Sequence, residues 1–227
     1  MTDLQNNSLI HLKFNGKIYG WILAISSLLA LAFIAHHPEA DLHNSANGLE
    51  NLAAIGYLGR IVHGTLIFMV LMFAVGFSGF ALRLGIKHPL VMSGWIAYII
   101  GTIAMILAAS IDGFLLADIS DKMSDNRQLA YDLIHYSMIY NQILARLGFS
   151  LMAAASLFWG VAMIHFSGIK RIIGLCSIII GGTSLAFVLI SSERIDVRIL
   201  LFYMIAQLIW HLIIATWMIR TKDNVAI

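Results

Sequence analysis

The chain has 227 residues, 60% of them hydrophobic and only 11% charged. Soluble domains carry roughly 25% charged residues, so this composition excludes an ordinary water-soluble globule and points to lipid-facing surface. A net charge of +2, with no Lys/Arg-rich cluster, excludes a nucleic-acid partner.

Residues 1–17 are polar to mildly amphipathic and end on Lys13 and Lys17. The first apolar run, Ile18–Ala35, is too long for a signal-peptide core and has no cleavage site followed by a soluble domain, so it is expected to stay as a span. A loop rich in His, Asn and acids follows. The second span is placed at about 53–82. Its apolar core, Ile61–Leu82, holds His63 as its only ionisable group and stops at Arg83. Such a run matches a hydrocarbon core of about 30 Å at about 1.5 Å per residue.

A short basic turn leads into span three, 89–111, with Pro89 at its start, where a helix tolerates proline. The segment from Asp112 to about Asp132 is acidic and reads as a polar connection. Span four is placed at about 134–166, with its apolar core at Leu147–Phe166. Lys170 and Arg171 make a tight turn into span five, 172–192, and span six covers 199–219. Gly76-x-x-Gly79, Gly94 and Gly101 are expected to let helices approach closely, and Gly181-Gly182 marks either close contact or a break. The lone Cys176 excludes an internal disulfide and CxxC chemistry.

The expected fold is therefore all-α: a single membrane domain over 1–227, a bundle of six transmembrane helices. Basic residues set the orientation. Lys13, Lys17, Arg83, Lys87, Lys170, Arg171, Arg220 and Lys222 fall on one side, and Arg60, Lys122, Arg127, Arg194 and Arg198 on the other. That second side also carries most of the acids. Both termini are expected in the cytoplasm of a bacterial-type inner membrane, with the acidic loops outside.

Counting from the cytoplasmic anchors brings several polar residues to one depth. Arg60 is 23 positions from Arg83, Asp112 is 24 from His88, Arg146 is 19 from His165 and Glu193 is 22 from Arg171. Each separation is roughly one membrane thickness. Arg60 and His63 share a face of span two, as His135 and Arg146 share a face of span four. The external end is thus expected to gather Arg60, His63, Asp112, His135, Arg146 and Glu193.

Three kinds of chemistry suit that set. The plainest is structural, with Arg60 and Arg146 pairing with Asp112 and Glu193 or reaching toward headgroups. The second is a zinc or copper site on His63, His135 and Asp112, which would also serve as acid/base groups, with Arg60 and Arg146 holding an anionic group. The third is a haem b on a histidine pair, its propionates meeting the arginines. The loop from His36 to His43, with three histidines and two acids, reads first as solvated and second as a source of metal ligands. Deeper in the membrane, Gln207 and His211 lie one turn apart on span six. They form either a hydrogen-bonded structural pair or a second, inner cofactor site with His165.

The functional expectation is a membrane protein with a ligand or metal site at the external end, acting as a metal-dependent enzyme on a lipid-like substrate. A b-type haem electron carrier and a non-enzymatic subunit that binds a membrane protein partner are the alternatives.

Overall fold

The computed structural model describes residues 15–37, 48–123, 125–190 and 197–221, and only the backbone of 197–203. Every element among the described residues is helical: α1 (Gly16–Ala35), α2 (Gly48–Leu84), α3 (Pro89–Ser110), a π-helical turn (Ile111–Leu115), α4 (Leu116–Lys122), α5 (Arg127–Ile164), α6 (Ile169–Ile190) and α7 (Val197–Arg220). Five helical stretches are long and apolar enough to cross a bilayer: Gly16–Ala35, Gly48–Leu84, Pro89–Lys122, Arg127–Ile164 and Ile169–Ile190. A further apolar helix, Met204–Arg220, is shorter in its described part. The chain has the build of a helical membrane protein. Large apolar side chains such as Trp21, Phe68, Ile103 and Ile179 stand exposed on the outer faces, as lipid contact requires.

Local chemistry sets the helix ends. The Asn15 side chain accepts the backbone N–H of Lys17, and that of Asn126 accepts the N–H of Leu129. Each satisfies a donor that the first helical turn leaves open. Pro89 begins α3, where its missing N–H costs nothing. Gly85 closes α2 at φ 93°, a conformation that side chains disfavour. At the same end the Arg83 guanidinium donates to the carbonyls of Met218 and Thr221 and lies over the Trp217 ring. It supplies donors to the last turn of α7, which has none of its own.

The helices form a ring. α1 packs on α2 and α7, α2 on α3, α3 on α5 and α5 on α6, while α6 meets α7 most sparsely. Aromatic rings fill the centre. Phe77, Trp159 and Trp210 form a triangle of near-parallel rings, with centroid distances of 5.2 Å (Phe77–Trp159), 5.0 Å (Phe77–Trp210) and 6.2 Å (Trp159–Trp210), and Tyr98 lies 4.6 Å from Phe77. Both buried indoles have acceptors: Trp159 donates to the Val91 carbonyl and Trp210 to the Ser177 hydroxyl. Gly76 and Gly79 face Leu23 and Tyr19 of α1, and Gly181 faces Ala153 and Ser156 of α5. α6 runs unbroken through Gly181-Gly182, so of the two expectations there, close contact is the one observed.

Two boundaries differ from the sequence expectation. α2 begins at Gly48, not near residue 53, because Leu49, Leu52 and Gly56 are buried on one face. The stretch after Asp112 is not a polar connection. It continues as the π turn and α4, which ends at Lys122, and α5 begins at Arg127, ahead of the expected start near 134. The cause is a second, smaller core in which Leu116 and Ile119 of α4 pack with Leu49 and Leu52 of α2 and Ala130 and Ile134 of α5. α2 has 37 residues and α5 has 38, so each measures about 55 Å. That exceeds the hydrocarbon thickness of about 30 Å, and the small core occupies the excess as a compact helical head. The salt bridge from Arg127 to Glu50, 2.6 Å long, ties two of its helices together.

Candidate metal site

Where the head meets the main bundle, three helical elements bring potential metal-ligand atoms together. His37 follows directly on the end of α1. His63 stands on α2, and Asp112 is the second residue of the π turn. Their ligand atoms all lie within 4.8 Å of one another. His63 Nε2 is 3.0 Å from His37 Nε2 and 3.2 Å from Asp112 Oδ2. The imidazole of His63 is buried, whereas 39% of the Asp112 side chain is exposed, so the site opens on the carboxylate side.

The π turn sets this geometry. One extra residue per ring changes the direction in which side chains leave the helix, and such turns recur at functional sites. Here it places Asp112 against His63, with Gly113 beside it. A Cβ on Gly113 would overlap the Cβ of His63, so α2 can come this close only because residue 113 has no side chain.

Hydrogen bonding fixes the chemistry of His63. Its Nδ1 lies 2.8 Å from the backbone carbonyl of Gly59. A carbonyl can only accept, so Nδ1 carries a proton, and Nε2 is the nitrogen left to face His37 and Asp112, as an N–H donor in the charged ring or as a lone pair in the neutral one. Nε2 faces a carboxylate oxygen at 3.2 Å. A proton on Nε2 or a metal ion between the two atoms would each satisfy that approach. A backbone carbonyl on one ring nitrogen is also the usual arrangement behind a histidine that ligates through the other. Two ligand atoms on one tetrahedral zinc ion, each about 2.0–2.1 Å from it, lie about 3.3–3.4 Å apart. The spacings at His63 are within a few tenths of an ångström of that.

The sequence expectations fare differently around this point. His63 and Asp112 meet. His135 is exposed on α5 with its ring beside Tyr136, and it is not among the three residues that gather here. His37 takes the third place, so the solvated-loop reading does not hold for this residue. The rest of that loop, 38–43, lies outside the described residues, as does Glu193. The depth count finds His37 once it is extended to α1, because His37 is 19 positions beyond Ile18, again roughly one membrane thickness.

The ion pairs of Arg60 run to α4, not to Asp112. Arg60 donates to Asp118 at 2.8 Å, with Asp121 at 3.6 Å, and Lys122 holds the other Asp118 oxygen at 2.6 Å. The sequence misjudged this pairing because it treated 112–132 as a loop, whereas α4 carries Asp118 and Asp121 back along α2. Arg146 is half-buried on α5. In the main bundle, His211 and Gln207 are buried. The Nδ1 of His211 is 2.8 Å from the Ser27 hydroxyl, and Gln207 donates to Ser184. Phe73 and Phe77 pack on the His211 ring, each at 5.0 Å, while His165 is exposed at the end of α5. No family model, curated protein or solved structure matches the chain.

Proposed function

We propose that this protein is an integral membrane metalloprotein that holds one zinc ion on His37, His63 and Asp112 and hydrolyses a lipid-like substrate at the membrane surface. The carrying observation is the convergence of three potential ligand atoms, with His63 Nδ1 held on a carbonyl so that Nε2 is the nitrogen facing the other two residues. Two imidazole nitrogens and one carboxylate suit zinc or copper better than calcium or magnesium. Three protein ligands leave a fourth position open, as catalytic zinc sites do. Bound zinc supplies a Lewis acid and a water that is nucleophilic near neutral pH.

This chain's own groups divide the remaining work. Gly59 orients His63 through its carbonyl. The exposed flank of Asp112 faces the side from which a substrate enters. The depth count brings Arg146 to the same level, and we assign it the contact with an anionic group of an amphiphile. We further propose six crossings with both termini in the cytoplasm of a bacterial-type inner membrane. The division of Lys and Arg between the two ends supports this orientation, and it puts the site on the external side, level with lipid headgroups. His63 is 20 positions from Arg83, about 30 Å along the helix.

Elemental analysis and an absorbance spectrum on one detergent-purified sample test the proposal. We expect close to one zinc per chain and no Soret band. A sample grown with zinc that carries none, or one that shows a haem spectrum, overturns it. Reporter fusions at the C-terminus test the orientation, and an external signal refutes it.

A further inference from the structure

α4 has seven residues, too few to hold its own shape or direction, yet it follows immediately on the turn that carries Asp112. Its buried side chains, Leu116 and Ile119, pack into the small core of the head. On its polar side, Arg60 reaches from α2 to Asp118 and Asp121, while Lys122 holds Asp118 from behind. The helix running through Asp112 to Asp118 and the antiparallel α2 are therefore joined at two levels. His63 meets Asp112 at the lower one, and Arg60 meets Asp118 at the upper one. Arg60 is one turn beyond His63 along α2, and Asp118 is nearly two turns beyond Asp112.

We propose that Arg60 is a positioning residue for the metal site. It holds Asp112 against His63 by way of Asp118 and α4, and it does not bind a substrate anion. This inference rests on the metal reading of His37, His63 and Asp112. Two carboxylates already face the Arg60 guanidinium, which leaves no uncompensated charge for a ligand. Four alternating charges at one contact form a network, and a network has the directionality that a single exposed pair lacks. The apolar packing of α4 supplies contact area, while the ion pairs set its rotation and rise relative to α2.

The test uses the full chain in detergent, stripped with a chelator and reloaded. Zinc affinity is read by competition with a chromophoric chelator, and ligand geometry by the visible absorption of cobalt(II). Arg60→Met keeps the stem and removes the fork, and Asp118→Asn keeps the shape and removes the charge. Each is expected to weaken zinc binding about 2- to 30-fold and to change the intensity of the cobalt bands. Arg60→Lys should recover part of both. The thermal midpoint of the metal-free protein should stay near wild type, which separates positioning from a general loss of structure. If wild type takes up neither metal, the metal reading fails. If wild type binds both and the two variants match it in affinity and spectrum, the positioning role fails. Should Arg60→Met not fold, Asp118→Asn decides alone.

Discussion

The Nδ1 of His63 lies 2.8 Å from the carbonyl oxygen of Gly59, one helical turn earlier on α2. That contact keeps a proton on Nδ1 and turns Nε2 toward His37 and Asp112. The backbone of α2 thus selects the ring nitrogen that can ligate.

His63→Ala should remove bound zinc, and His37→Ala and Asp112→Asn should each weaken it at least as much as the about 10–100-fold typical when a ligand's supporting partner is lost. His135→Ala should leave zinc content at the wild-type level, since His135 stands apart and exposed on α5. Elemental analysis of the four variants, purified alike, gives the answer.

Two glycines on either side of the site predict opposite results. Gly113→Ala drives a methyl group into His63. It should cost about 1–3 kcal/mol of stability through overpacking and deplete zinc. Gly59→Ala meets nothing within 4 Å and keeps the carbonyl that His63 needs, so zinc content should hold. Thermal unfolding and metal analysis of both proteins check this.

The inner polar pair should be separable from the outer site. Ser27→Ala removes the hydroxyl beside His211 Nδ1. Hydrogen bonds between membrane helices contribute about 0.6 kcal/mol on average and at most about 1.7. We expect a stability loss in that range with unchanged zinc, measured by unfolding in mixed micelles.

Packing should outweigh exposed charge. Phe77 is fully buried against two indoles, so Phe77→Ala should cost about 3–5 kcal/mol. Arg127 and Glu50 form an exposed pair at the outer end of the head, and Glu50→Gln should cost less than about 1 kcal/mol. The same unfolding assay ranks the two.

The long apolar runs were legible from hydropathy alone. α1 and α3 begin and end within about two residues of their expected bounds, because bilayer thickness dictates length and the flanking Lys, Pro and Arg mark the ends. The head was not legible. Residues 112–122 are too polar to register as a span, and their helicity depends on contacts with Leu49, Leu52 and Ile134, which are distant in sequence. At the site, depth counting brought His63 and Asp112 to one level, but depth carries no information about direction around a helix axis. His135 lies 11 positions beyond Arg146 on α5, about 16 Å further out, and is exposed, while His37, which meets His63, was read as part of a loop. Nor does any pattern in residues 111–115 announce a π turn, on which the facing of Asp112 depends.

That turn makes this end of the molecule sensitive to number as much as to identity. Each residue of an α-helix advances the chain by about 100°. A π turn takes up one residue more than an α turn, so deleting any one residue of Ile111–Leu115 outside Asp112 would let the segment close as ordinary helix, keeping Asp118 and Asp121 beside Arg60 while changing the direction in which Asp112 leaves the helix. Such a protein would retain each side chain that can grip a cation or a partner charge, and would lose their alignment.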